Sequence, residues 1–164
     1  RIAHIAGPQQ VSISRNRLEG YMDALHKYNI EIREELILHT EITQEGGMER
    51  TYQLMALKNR PDAIFGASER ITMGIHLALR KLGYRMPEDV VVIGFCDLAM
   101  SSILSPTVSS VTQPSFEMGQ QATSLLLDLI EKKKNTPVAF ETRVLQSNLI
   151  IQESSLRLNP SLVI

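Results

Sequence analysis

The chain has 164 residues, 43% hydrophobic and 21% charged, with a net charge of −1 and one cysteine. That length supports a single core burying about 70% of the unfolded surface, too little for two independent domains. The near-neutral balance and lack of a long basic run exclude a phosphate-backbone grip by this chain, and one cysteine excludes an internal disulfide framework.

The single thiol fits a reducing compartment, so a cytoplasmic location is expected. No stretch approaches the ~18 apolar residues that crossing a bilayer requires, so no membrane partner is expected. Arg1 leads directly into the apolar run IAHIA, which reads as a chain cut from something longer, without a secretory leader.

Ile2 to Ala6 reads as a buried strand ending at Gly7-Pro8, followed by a polar loop through Ser14. From Arg15 to Tyr28, residues Leu18, Tyr21, Met22, Leu25 and Tyr28 line one helical face, with Asn29 as the stop. A short strand at Leu36 to His39 precedes Gly46-Gly47, read as a turn, after which Met48, Tyr52 and Met55 give a second helical stripe. Asp62 to Phe65 and Val90 to Ile93 are nearly continuous apolar runs, as expected of strands covered on both faces. Between them Ile71, Ile75, Ala78, Leu79 and Leu82 form an apolar stripe, capped by Ser68 and closed by Arg80, Lys81 and Gly83. This βαβαβαβ alternation predicts an α/β fold with a doubly wound, open parallel sheet.

After Phe95 comes the small-residue and polar connection CDLAMSSILSPT, then a strand from Val108 to Gln113. Met118, Ala122, Leu125, Leu126, Leu129 and Ile130 make the strongest helical stripe, and the lysines from Lys132 to Lys134 read as a solvated helix end. Val138 to Ile151 alternates enough for one or two final strands.

Ligands of open α/β sheets bind beyond the carboxyl ends of the strands, so topology nominates the site. Four clusters converge there: Ser12 to Arg17 (with Ser14), Ser68-Glu69-Arg70, Cys96-Asp97 and Gln113. Hydroxyls, carboxylates, an amide and guanidinium groups suit a hydroxyl-rich or anionic small molecule. Arg17 itself reads equally as a surface charge or as a ligand-facing guanidinium. Catalysis is not expected, because none of His4, His26, His39 and His76 lies in a predicted loop beside Cys96. No metal and no cofactor are expected: no His or Cys pair has ligand spacing, and the glycine-rich phosphate-loop patterns are absent.

The segments RIAHIAGP, SRNRLEGYMDAL, PDAIFGASERITMGIHLALRKLGYRMPEDVVVIGFCD and SPTVSSVTQPSFEMGQQATSLLLDLI, in this order and spacing, resemble the effector-binding part of the lac repressor and gal repressor family of bacterial transcription regulators. The resemblance covers about residues 1 to 155 and implies a two-lobed core of the type I periplasmic-binding-protein kind. It places residues 1–113 in the second lobe, 114–143 in a segment supplied to the first lobe, and 144–164 in a return to the second lobe and a tail. It also implies that the strand and helix opening the second lobe are missing, leaving apolar surface that pairing between copies would cover.

The function implied is the ligand-sensing and dimerisation portion of a repressor. Its partners would be a sugar, sugar derivative or other metabolite, a second copy in a homodimer, and DNA only through an amino-terminal headpiece absent from this chain. Arg17 matches the effector-holding arginine of that family, while Ser68, Glu69 and Cys96 depart from its usual residues, and Asp97 matches the position after its aspartate. Ile71, Leu98, Met100, Ile103 and Leu104 fall on the surface by which such proteins dimerise. The alternative is a periplasmic-type sugar-binding module of a transporter.

Overall fold

The computed structural model of the protein describes residues 1–96, 102–131 and 141–156. The first half of the chain alternates strand β1 (Ile2–Ala6), helix α1 (Ser12–Lys27), β2 (Ile37–His39), α2 (Gln44–Met55), β3 (Ala63–Gly66), α3 (Glu69–Lys81) and β4 (Val91–Phe95). The second half adds β5 (Ser109–Thr112), helix α4 (Ser115–Glu131) and β6 (Asn148–Ile150). One six-stranded sheet results, in the order β2-β1-β3-β4-β5-β6. The first five strands are mutually parallel, as the alternation predicts, whereas β6 joins β5 antiparallel, with Thr112 opposite Asn148. The last strand pairs with the strand before α4, so it needs no right-handed crossover and is free to run the other way.

The core lies on the sheet face covered by α2 and α3. Ala3 and Ile5 of β1, Ile64 of β3 and Val92 of β4 point into it at alternate positions and meet Ile71, Ile75 and Leu79. Each of those three α3 side chains is fully buried, worth about 1.5–3 kcal/mol apiece relative to exposure. The Ser68 hydroxyl accepts from the Ile71 amide at 3.3 Å and caps α3, and Gly83 leaves it with φ of +77°. Asn29, at φ 54°, ends α1 in the same left-handed way.

Two helix starts differ from expectation. α1 begins at Ser12, so Ser12, Ile13 and Ser14 form its first turn instead of a loop. α2 begins at Gln44, capped by the Thr43 hydroxyl, and its two glycines are helical. A Cβ on Gly47 would run into the Ile71 backbone, and one on Gly74 into the Gln44 carbonyl. These glycines are where α2 and α3 cross in close contact, not a turn.

The opposite sheet face carries α1. Phe65, Ile93, Phe95 and Val111 are only partly buried there, and with Tyr21 and Ala24 they line an open apolar groove of about 480 Å³.

Candidate functional site

The sheet order reverses between β1 and β3, and the loops leaving these two strands diverge to opposite faces. A crevice must open at such a point, beyond the carboxyl ends. Here it has a volume of about 400 Å³ and receives Arg17 from α1, Ser68 and Glu69 from the start of α3, Cys96 after β4, and Gln113 and Ser115 after β5.

Arg17 is fixed by two contacts in different directions. One Nη donates to the Ala67 carbonyl at 2.5 Å, and the guanidinium carbon lies 3.8 Å from the centroid of the Phe95 ring. Burial lowers its pKa somewhat, but an arginine stays charged at any physiological pH. The guanidinium therefore stands as a cation between the polar crevice and the apolar groove, both of which it lines along with Ile13 and Phe95.

Cys96 is 7% exposed. Burial is the main cause that raises its pKa to about 11, with the Glu69 charge adding to the rise and a hydrogen bond to the Thr72 side chain opposing it. At neutral pH the thiol keeps its proton, which makes it a weak donor and a poor nucleophile. No histidine lines the crevice. Among the described residues no group of three or more His, Cys, Asp or Glu is placed to hold a metal ion. Among the described residues the wall can donate and accept hydrogen bonds, supply one cation and offer apolar contact through Ile13, Ile42 and Phe95, and it presents no acid, base and nucleophile in register.

Of the residues nominated from sequence, Arg17, Ser68, Glu69, Cys96 and Gln113 come together in this crevice. Ser14 does not. It is buried, with its hydroxyl where a Cβ on Gly7 would fall, because the earlier helix start turns it inward. Asp97, Leu98 and Met100 lie outside the described residues. For the expected dimer surface, Ile71 is a correction: it is fully buried where α3 meets α2, so it cannot meet a partner. Leu104 packs against the same core, and Ile103 is 72% exposed. Ile13, inside the nominated Ser12 to Arg17 cluster, also lines the crevice, whereas Phe95, Ile42 and Ser115 escaped the sequence reading; the strand-end position of Phe95, directly before Cys96, was the available signal.

A second cleft, about 600 Å³, lies at the end of β2 between Gln9, His39 and Arg50. It is broader, but His39 is already engaged there, with Nδ1 at 3.1 Å from the Gly7 carbonyl and Nε2 at 3.0 Å from the Gln9 amide. Of these two clefts, the switch-point crevice is the one whose described residues combine a cation held over an aromatic ring with hydroxyl, amide and carboxylate groups.

Residues 1–155 match the periplasmic binding protein-like domain family. The ribose operon repressor of Haemophilus influenzae is 32% identical over 154 residues, covering 94% of this chain and 46% of the repressor. The HTH-type transcriptional regulator CelR of Thermobifida fusca is 35% identical over 154 residues, covering 94% of this chain and 44% of its own. Among solved structures, a transcriptional regulator CelR–cellobiose complex superposes with a TM-score of 0.83 at 35% identity, over 94% of this chain and 46% of the other. The Escherichia coli transcriptional repressor ascG superposes with a TM-score of 0.81 at 30% identity, over 93% of this chain and 54% of the other. The chain thus spans less than half the length of these curated relatives, which are regulators and not enzymes. With its mostly parallel sheet, its crevice at the strand-order reversal and this set of relatives, the chain belongs to the periplasmic binding protein-like domain family, within the lac repressor and gal repressor group of transcription regulators.

Proposed function

We propose that this chain is the ligand-sensing and dimerisation portion of a transcriptional repressor, with a small-molecule effector bound in the crevice at Arg17. The observation that carries the reading is the convergence of Arg17, Ser68, Glu69, Cys96 and Gln113 at the switch point of the sheet, where a metabolite can be held but not transformed. A solved structure of a similar regulator in complex with cellobiose supports a sugar or sugar derivative as the effector.

In this reading residues 1–113 form one lobe, 114–143 belong to the other, and 144–164 return to the first. α4 supports the division: none of its residues is buried, and Leu126, Leu127 and Ile130 are all more than half exposed. An apolar helix of that kind is built to pack against another body. Effector binding between two lobes would favour one relative orientation, and a DNA-binding part of the whole protein would register it as a population shift set by the effector's differential affinity.

Calorimetry across a panel of sugars, cellobiose and D-ribose included, tests the site. One ligand should bind, and Arg17→Ala should weaken it by about 10- to 100-fold, the cost of one charge-assisted hydrogen bond. Binding unchanged in Arg17→Ala rules out this site.

A further inference from the structure

Phe95 has no polar group to offer a ligand, yet Arg17 rests on it. The guanidinium carbon lies over the ring, 3.8 Å from its centroid, the separation at which a planar guanidinium stacks on an aromatic face. The bond to the Ala67 carbonyl then fixes rotation within that plane. One contact sets the plane and the other sets the angle, leaving the remaining N–H groups in a defined orientation.

The ring is itself anchored. Phe95 tilts against Phe65 at 5.8 Å, Phe65 stacks on His4 at 4.7 Å, and His4 stacks on Tyr21 at 5.1 Å. Tyr21 stands one turn after Arg17 on α1, and its hydroxyl donates to the Ile2 carbonyl at 2.8 Å. The ladder Tyr21–His4–Phe65–Phe95–Arg17 leaves α1, crosses three strands and returns to α1. Arg17 is thereby registered to the sheet as well as to its own helix.

We infer that Phe95 is a positioning residue of the crevice: its ring fixes the plane of the Arg17 guanidinium, so that two oxygen acceptors of a ligand are met edge-on. This rests on the effector reading above, and it assigns the ligand a pair of coplanar oxygens, such as adjacent hydroxyls or a carboxylate, at the Arg17 end. Arg17 would touch the ligand; Phe95 would act only through it.

Arginine side-chain NMR on the 15N-labelled 164-residue chain reads the placement directly. The Arg17 Nε–H proton, identified by its loss in Arg17→Lys, should sit upfield of the other arginines under the ring current of Phe95. Phe95→Tyr should keep that shift, while Phe95→Leu, which keeps apolar bulk without a π-face, should abolish it with the backbone amide spectrum otherwise preserved. For a sugar found by calorimetry, Phe95→Leu should weaken binding about 2- to 5-fold, the factor equivalent to one partly exposed cation–π contact, and Phe95→Tyr should restore it.

An unshifted Arg17 proton in the wild-type chain overturns the inference even if the leucine variant does not fold, and so does a shift that survives Phe95→Leu. A shifted proton in a chain that binds none of the sugars overturns the effector reading and upholds the placement of Arg17. A bound sugar with an unshifted proton does the reverse.

Discussion

His4 shows what a single side chain can contribute when its surroundings forbid charge. It is fully buried between the Tyr21 and Phe65 rings; its Nδ1–H donates to the Phe65 carbonyl at 3.0 Å, and its Nε2 has no partner among the described residues. Burial is the main cause that lowers its pKa from 6.5 to about 4, with the nearby Arg17 charge acting the same way. The unfolded chain therefore takes up this proton before the folded one does. Its contribution is complete above pH 6.5 and is lost as pH falls from 6.5 through about 4, amounting to about 3 kcal/mol. Urea midpoints between pH 7 and 4 should show this acid limb in the wild type. In His4→Phe, which fills the same aromatic slot without a titrating group, the limb should flatten. At this scale the sequence was partly legible. His4 was readable as a strand residue, but the choice between surface charge and ligand contact for Arg17 depended on Ala67 and Phe95, which only the sheet brings near.

Among the elements, α3 was readable almost to its ends because stripe, cap and exit agree: Ile71, Ile75 and Leu79 inside, Ser68 before, Gly83 after. α2 was misread at its start because two adjacent glycines mimic a turn, whereas Thr43 supplies the cap and Gly47 the crossing surface. Glycine as a turn former and glycine as a site of close helix approach look alike until the facing helix is known. Gly74→Val should therefore cost about 1–3 kcal/mol by forcing α3 from the backbone of α2. A fall in urea midpoint with an unchanged far-UV spectrum would report it. Gly20, whose Cβ would meet nothing within 4 Å, is the control in the same assay: Gly20→Ala should not be destabilising.

The whole molecule is unevenly enclosed. Helices α2 and α3 seal one face of the sheet, while an apolar groove stands open on the other and α4 carries Phe116, Leu126, Leu127 and Ile130 into solvent. Composition reports how much apolar material a chain has, not which of it is covered, so the stripe of α4 was legible in the sequence while the groove could not be located before the fold was known. Replacing Leu126 and Ile130 by Gln should leave the unfolding free energy from urea titration within about 0.5 kcal/mol of wild type, since neither side chain belongs to the core. The same change should reduce self-association in sedimentation velocity, whereas loss of stability would mean that α4 already packs on the sheet.

The pairing of β5 with β6 gives this uneven body a mechanical character. Thr112 and Asn148 lie side by side, and the returning segment is tied down by Ser154, whose hydroxyl donates to the Val92 carbonyl at 2.6 Å, and by the Ser109 hydroxyl 2.6 Å from that of Ser155. Outgoing and incoming backbone are thus riveted together at the base of a single excursion. Because β5 is also the neighbour of β4, a displacement of α4 that pulled on this junction would be felt first beside the strand whose end carries Cys96.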